Sequence, residues 1–199
     1  LGSLFVYRFL NKEYIFSNEP LRQLFLKRLN FQGIFDSKIK LEMIATDVET
    51  GAEVVFTNYR PEDKCRRRFV EAILASSRLP GYLTPSFIDG RVLGDGGILS
   101  YVPIHRAIEH GCDAVVVFSY AGLGPECQKA PWNWPHDITR ASDITEAEVV
   151  RLTLENYNLR KQLGHKLPDM FFVACSEGLP QVNFRNFSLA TMSEGMNIG

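Results

Sequence analysis

The chain has 199 residues, 45% of them hydrophobic, which is enough to bury one substantial core, so a single domain covering residues 1–199 is expected. Its formal net charge is −1 and its longest basic run is Arg66-Arg67-Arg68, which argues against a nucleic-acid partner. The four cysteines form no C-x-x-C pair, which argues against a structural zinc site or a disulfide scaffold and favours a reducing compartment. No apolar run approaches the roughly 18 residues that a membrane-spanning helix needs.

The first part of the chain carries alternating helix and strand signals. Residues 1 to 16 are rich in aromatic side chains without a clean period, which predicts that they pack on a partner. Pro20 marks the start of a predicted helix, whose expected core-facing positions are Leu21, Leu24, Phe25 and Leu29. Residues 40–46 and 52–57 are predicted strands separated by turn residues, so they indicate a hairpin with a longer loop.

A second helix and a second hairpin follow. Pro61 predicts a helix that ends at Pro80-Gly81, with the three arginines at 66–68 on its solvated side. The positions expected on its buried face are Phe69, Ala72, Ile73 and Ser76. Asp89-Gly90, between two short apolar runs, is the strongest short hairpin signal in the chain.

The next segments predict a parallel sheet. Pro103 starts a predicted helix that closes at Gly111, and residues 113–118 form a continuous apolar strand of the kind found buried on both faces. Strand 91–93, this helix and strand 113–118 are spaced as a βαβ unit, which implies a parallel sheet covered by helices.

The last third contains a long irregular segment and a further helix. Residues 119–141 carry Trp132 and Trp134, which are expected to pin this loop to the body, with contact to lipid as the alternative. Asp143 and Glu146 form a predicted capping box for a helix that ends at Gly164. Its expected apolar face is Val149, Leu152, Leu159 and Leu163. Residues 170–175 form another predicted buried strand, and 184–198 a short terminal helix.

The stretch most suggestive of chemistry is Gly94-Asp95-Gly96-Gly97, where a short apolar strand runs into a carboxylate between glycines. Glycine lets the backbone turn sharply and lets another group come close. A carboxylate held at such a strand end is well placed to act as a general base. The alternative is a plain tight turn.

Several segments in order resemble the patatin-like phospholipase family. Residues 44–51 with 54–56 are similar to the family's strand, turn and strand, and 75–82 (ASSRLPGY) to its A-S-x-x-x-P-G-[YF] stretch. Residues 93–99 (LGDGGIL) with 102–104 resemble its D-G-[GA] motif and the proline helix behind it, and 107–116 continue the match. Glu19-Pro-Leu-Arg22 is similar to a P-L-R segment of bacterial members. The likeness covers roughly residues 18 to 120.

The resemblance implies a three-layer α/β/α fold with a mostly parallel central sheet. It implies hydrolysis of carboxylic esters of phospholipids or acylglycerols by a Ser-Asp dyad, with no metal and no organic cofactor. Asp95 would be the dyad carboxylate, and Gly94, Gly96 and Gly97 would allow the close approach around it. Lipid esters would be the substrates, met in the cytoplasm or at the periphery of a membrane.

The family's nucleophile motif, G-x-S-x-G on a strand-to-helix turn, does not occur in the sequence. Ser3 and Ser119 lack the required flanking glycine, and Ser76 and Ser77 are expected to be structural. We therefore expect the fold to be incomplete at its N-terminus and this chain alone to be catalytically silent. A non-catalytic relative that binds lipid or protein is the alternative.

Other constellations are weaker. His105 and His110 lie five apart, which does not place them on one helical face as a metal pair, so surface positions are expected. His136 and His165 show no metal spacing. An incomplete sheet would expose an edge, so pairing with a second copy is a further expectation.

Overall fold

The structure, a computed structural model, describes residue 14 and the ranges 16–79, 81–119 and 134–174; of residues 119, 134–139, 143, 172 and 174 it describes the backbone alone. The chain divides into two units, Leu1–Ser100 and Tyr101–Gly199. The expectation of a single domain stays a prediction. The sequence predictions for residues 1–13, for 184–198 and for the side chains of Trp132 and Trp134 lie outside the described part.

Two short helices open the described chain: α1, Glu19–Arg28, with Pro20 in its first turn as predicted, and α2, Phe31–Phe35. Phe25 of α1 and Leu29, its C-cap residue, pack on the core as expected, and Leu26 also packs there. Leu21 and Leu24 are exposed, so that part of the predicted face is wrong. An ion pair connects α1 to helix α3 (Arg66–Ser76), because the Arg22 guanidinium donates to both carboxylate oxygens of Glu71, at 2.6 and 3.0 Å.

The first unit is built on a four-stranded sheet. Its strands are β1 (Glu42–Asp47), β2 (Glu53–Thr57), β3 (Ser86–Ile88) and β4 (Arg91–Asp95), in the order β2-β1-β4-β3. Both predicted hairpins are confirmed, β1 with β2 and β3 with β4. The Asp89-Gly90 turn has positive φ at both residues, 55° and 74°, as a type I′ turn requires.

This sheet corrects the predicted mostly parallel arrangement. All three strand pairs in it are antiparallel, including β1 with β4. Strand β4 pairs with β1 and β3, whereas the following strand β5 (Ala114–Ser119) pairs with another partner, so the predicted βαβ unit does not form as one sheet. The physical reason is that a hairpin turn makes the strand that follows it antiparallel to the strand before it. The apolar composition of a strand does not specify its direction.

Helix α3, Arg66–Ser76, covers one face of the sheet. The predicted helix start at Pro61 is instead a separate 3₁₀ helix, Pro61–Asp63. Ala72 and Ala75 of α3 pack with sheet residues, while Phe69 and Leu74 pack toward α1 and α2. The main core residues of the sheet are Ala45, Phe56, Ile88 and Leu93.

Arg68 corrects the expectation that all three arginines face solvent. Arg66 and Arg67 are exposed, but Arg68 is half-buried and connects three elements. Its guanidinium pairs with Asp89 in the β3–β4 turn, at 2.7 and 2.8 Å, and with buried Asp63, at 3.1 Å. Asp63 also accepts the Thr57 amide at 2.9 Å. The guanidinium of Arg68 lowers the pKa of the Asp89 carboxyl.

The second unit contains α4 (Ile104–Glu109), β5, the long helix α5 (Trp134–Gln162) and β6 (Asp169–Ala174). Helix α4 closes near Gly111, at φ 68°, as predicted. Strands β5 and β6 pair in parallel. The Tyr157 hydroxyl donates to the Pro168 carbonyl and Lys161 pairs with Asp169, which ties α5 to the start of β6.

Three predictions about this unit are wrong. Helix α5 runs through Asp143, so the capping box does not begin it. Among the helix side chains that the structure describes, those of Val150 and Tyr157 are buried, whereas the predicted face is exposed at Val149, Leu152, Leu159 and Leu163. Strands β5 and β6 each have an exposed apolar face, at Val116, Phe118, Phe171 and Val173, instead of burial on both sides. The helix end at Gly164, φ 82°, is confirmed.

Removing the Asp63 side chain tests the link between the sheet and α3. We expect Asp63→Ala to lower the free energy of unfolding by about 3 kcal/mol, because the Thr57 amide and the half-buried Arg68 would both lose a partner. Urea unfolding followed by circular dichroism measures this. The exposed neighbour provides the control: Glu62→Ala should change stability by less than about 0.5 kcal/mol. Equal losses in the two variants would contradict the assignment.

Candidate active site

Asp95 lies at the end of β4, opposite Ala45 of β1. Because side chains alternate along a strand, Asp95 projects from the same face as Leu93, which belongs to the core. The backbone then turns into a 3₁₀ helix, Gly96–Ile98, for which Asp95 is the N-cap. The carboxylate oxygen Oδ1 accepts the Gly97 amide at 2.8 Å. Capping therefore fixes the side chain of a half-buried acid where the strand ends.

Gly96 is required by close contact. A Cβ built at this position would lie 2.3 Å from the Ile44 carbonyl oxygen and 2.8 Å from its carbon. Both are backbone atoms of β1, which cannot move aside as the end of a flexible side chain can. The glycine after the acid therefore allows the turn to pass directly against the neighbouring strand.

Two residues that sequence reasoning did not select hold the Asp95 backbone. The Thr46 hydroxyl donates to the Asp95 carbonyl at 2.9 Å, and the Asp95 amide donates to the Arg78 carbonyl at 3.0 Å. Arg78 is itself buried, and its Nη1 donates to the Leu93 carbonyl at 2.9 Å. A signal existed for Arg78, since it lies within the ASSRLPGY stretch that marks the family resemblance.

Burial raises the pKa of the Asp95 carboxyl above its ordinary value, and the hydrogen bond from Gly97 offsets part of that rise. Loss of water disfavours the charged form, whereas an amide donor favours it. Burial is the larger effect. The group is therefore shifted toward the range in which a carboxylate is a more effective proton acceptor.

The remaining predicted candidates do not join Asp95 in the described part of the chain. Ser77, the C-cap residue of α3, donates to the Ile73 carbonyl at 3.0 Å, and its structural role stays a prediction. Ser76 lies in α3 and is half-buried. His105 and His110 are exposed, as expected. Among the described residues, the hydrogen bond to the Asp95 carboxylate comes from Gly97, and no serine hydroxyl contacts it.

Comparison with protein families identifies the family of this chain. A family model described as Patatin-like phospholipase matches residues 2–108, more than half of the chain, and this range includes β1 to β4, α3 and Asp95. The chain belongs to the patatin-like phospholipase family. Membership places it among hydrolases of the phospholipase type and points to lipid substrates at that coarse level.

Two features are absent from the described part of this patatin-like chain, one concerning metal ions and the other membranes. Within the described ranges, no three His, Cys, Asp or Glu side chains gather into a group that could hold a metal ion. None of the helices described is both long enough and apolar enough to cross a bilayer.

Gly96→Ala tests the close contact with β1. We expect it to lower stability by several kcal/mol or to prevent folding, because its Cβ would overlap backbone atoms. Gly51→Ala is the control: Gly51 has φ 69° and open space around its Cβ, so about 1 kcal/mol of backbone strain is expected. Thermal unfolding of both variants measures the difference. A Gly96→Ala protein as stable as Gly51→Ala would overturn the steric argument.

The raised pKa of Asp95 gives a pH dependence whose sign can be worked out. As pH rises from about 4, the unfolded chain loses the Asp95 proton first. The folded state then binds more protons, so this group lowers the free energy of unfolding until the pH passes its folded pKa. Relative to Asp95→Asn, the wild-type protein should therefore become progressively less stable across that interval.

Urea titrations at a series of pH values measure the effect, with Asp36→Asn, an exposed carboxylate, correcting for the loss of one charge. A stability difference that grows in favour of the wild type with rising pH would contradict it.

Proposed function

We propose that this protein is a lipid acyl hydrolase of the patatin type, which cleaves carboxylic esters of phospholipids or acylglycerols by a Ser-Asp dyad with Asp95 as the base. The observation that carries the proposal is the geometry of Asp95. It is a half-buried carboxylate at a strand end, with Oδ1 held by the Gly97 amide at 2.8 Å. Within the described part of the chain, no hydrogen bond reaches Oδ2, which could face an incoming hydroxyl.

In this mechanism Asp95 acts as the proton acceptor in two steps, acylation of the serine and hydrolysis of the acyl-serine. Asp95 would take the proton of the serine hydroxyl as its oxygen attacks the ester carbonyl, and would return that proton to the leaving alcohol. Water would then cleave the acyl-serine, with Asp95 again accepting and returning a proton. The raised pKa of Asp95 supports this role, because a stronger base accepts the proton more readily.

Apolar residues beside Asp95 support a lipid as substrate. Ile98 and Leu99 follow the capped turn directly and are 55% and 48% exposed. Acyl chains are recognised by apolar contact, whereas a polar substrate would leave these side chains without a favourable partner. We propose that the protein meets its lipid in the cytoplasm or at the periphery of a membrane.

The test is ester hydrolysis by the protein expressed from its complete gene. Asp95→Asn should lower turnover of a short-chain acyl ester by about 10²- to 10⁴-fold, because asparagine keeps the Gly97 hydrogen bond but does not accept the proton. An organophosphonate probe, followed by peptide mass spectrometry, should label one serine, and the label should depend on Asp95. Asp36→Asn is the matched control and should retain activity. Equal rates in Asp95→Asn and wild type would remove Asp95 from the mechanism.

A second candidate is a non-catalytic member of the family that binds lipid or protein. The absence of G-x-S-x-G from the 199 residues favours it. Co-sedimentation with phosphatidylcholine vesicles, without ester turnover and without any probe-labelled serine, would support this candidate and exclude the hydrolase.

A further inference from the structure

Arg78 is a buried charge without an acidic partner in the described part of the chain. Its side chain is 6% exposed, and its guanidinium donates to two backbone carbonyls, those of Leu93 at 2.9 Å and Leu83 at 3.4 Å. Burial alone lowers the pKa of this group. Burying a cation opposite carbonyl groups costs stability that an apolar side chain would avoid. Such a cost suggests a role beyond packing.

The position of Arg78 explains what it does for β4. Strand β3 pairs with β4 only as far as Leu93, whereas β1 continues to Asp95 on the other edge. In an antiparallel strand, the carbonyl of residue 93 and the amide of residue 95 point to the same edge. Among the described residues, no strand lies along that edge beside Asp95. Arg78 supplies the hydrogen bonds that a neighbouring strand would supply there. Its side chain donates to the Leu93 carbonyl, and its own carbonyl accepts from the Asp95 amide.

Gly94 is the residue whose backbone freedom these contacts with Arg78 would limit. It lies between the two groups that Arg78 holds, and glycine in a strand interior weakens the strand because its backbone has more freedom to lose. Thr46 secures Asp95 from the β1 side through the Asp95 carbonyl. Without a second contact on the open edge, rotation about Gly94 would change the direction of the Asp95 carboxylate.

We propose that Arg78 is a positioning residue for Asp95, which replaces β3 at the open edge of β4 and fixes the direction of the carboxylate. The inference rests on the proposed function for its catalytic consequence, but its structural content can be tested separately. The reporter is the amide of Gly97, because its hydrogen bond to Asp95 Oδ1 responds when the carboxylate gains a proton.

The experiment follows the Gly97 amide by NMR during pH titration of the 199-residue chain. In the wild type, this resonance should shift as Asp95 titrates, and Asp95→Asn should abolish that shift. Arg78→Met should reduce its amplitude at least two-fold, because the carboxylate would no longer stay aligned with the amide. Arg78→Lys keeps one donor for the Leu93 carbonyl and should restore part of the amplitude. If Arg78→Met does not fold, the comparison of Arg78→Lys with the wild type provides the test.

A buried asparagine provides the stability-matched control. Asn58 is 2% exposed and bonds the backbone at Ile34, Ile39 and Leu41, far along the chain from β4. Asn58→Ala should lower the melting temperature but leave the Gly97 titration unchanged. If Arg78→Met and Arg78→Lys also leave the Gly97 titration unchanged, Arg78 has a general structural role and the proposal is wrong.

Turnover separates this proposal from the proposed function. In the protein from the complete gene, Arg78→Met should lower kcat by about 100-fold with KM nearly unchanged, since misplacing a catalytic group by about 1 Å has effects of that size. Equal rates in wild type and Asp95→Asn would refute the base role of Asp95, while the Gly97 titration would still decide the role of Arg78. An unchanged kcat in Arg78→Met, alongside an inactive Asp95→Asn, would refute positioning alone.

Discussion

The candidate site depends on the approach of one backbone turn to one strand. At Gly96 the chain passes so close to β1 that a Cβ would lie 2.3 Å from the Ile44 carbonyl oxygen. This contact sets where β4 ends and where the following 3₁₀ helix begins. The N-cap position then falls on Asp95, and the Gly97 amide meets its carboxylate. Backbone geometry therefore orients the Asp95 carboxylate. In the described part of the chain, no charged side chain pairs with it.

Sequence predicted the local features of the fold and failed where pairing is non-local. The Asp89-Gly90 hairpin was predictable because positive φ at two successive residues suits this pair of residue types. The direction of β4 against β1 was not, since an apolar strand reads alike in parallel and antiparallel sheets. The burial of Arg68 was missed for a related reason. Its partners, Asp63 and Asp89, belong to separate turns that come together only in the folded unit.

The site shows the same division. Asp95 and its glycines stand out in sequence because special backbone geometry needs special residues. Arg78 and Thr46 stand out less, because each acts on the Asp95 backbone through bonds that any residue except proline could make at position 95. A contact to main-chain atoms requires no particular residue type in the partner. Spacing and composition therefore do not predict such a contact. The family match covers residues 2–108, which include Thr46, Arg78 and Asp95, but it assigns a role to none of them.

Asp95 and Arg78 are both held under conditions that oppose their charge. Burial raises the pKa of the acid and lowers that of the guanidinium, and neither group relieves the other by forming an ion pair. A direct pair would stabilise the carboxylate and lower its pKa, which would make it a weaker base. The Arg78 side chain instead donates to the Leu93 carbonyl, which holds the strand without lowering the pKa of Asp95 through an ion pair. In the mechanism we propose, this arrangement gives up some stability to keep the acid both fixed and basic, as expected for a proton acceptor.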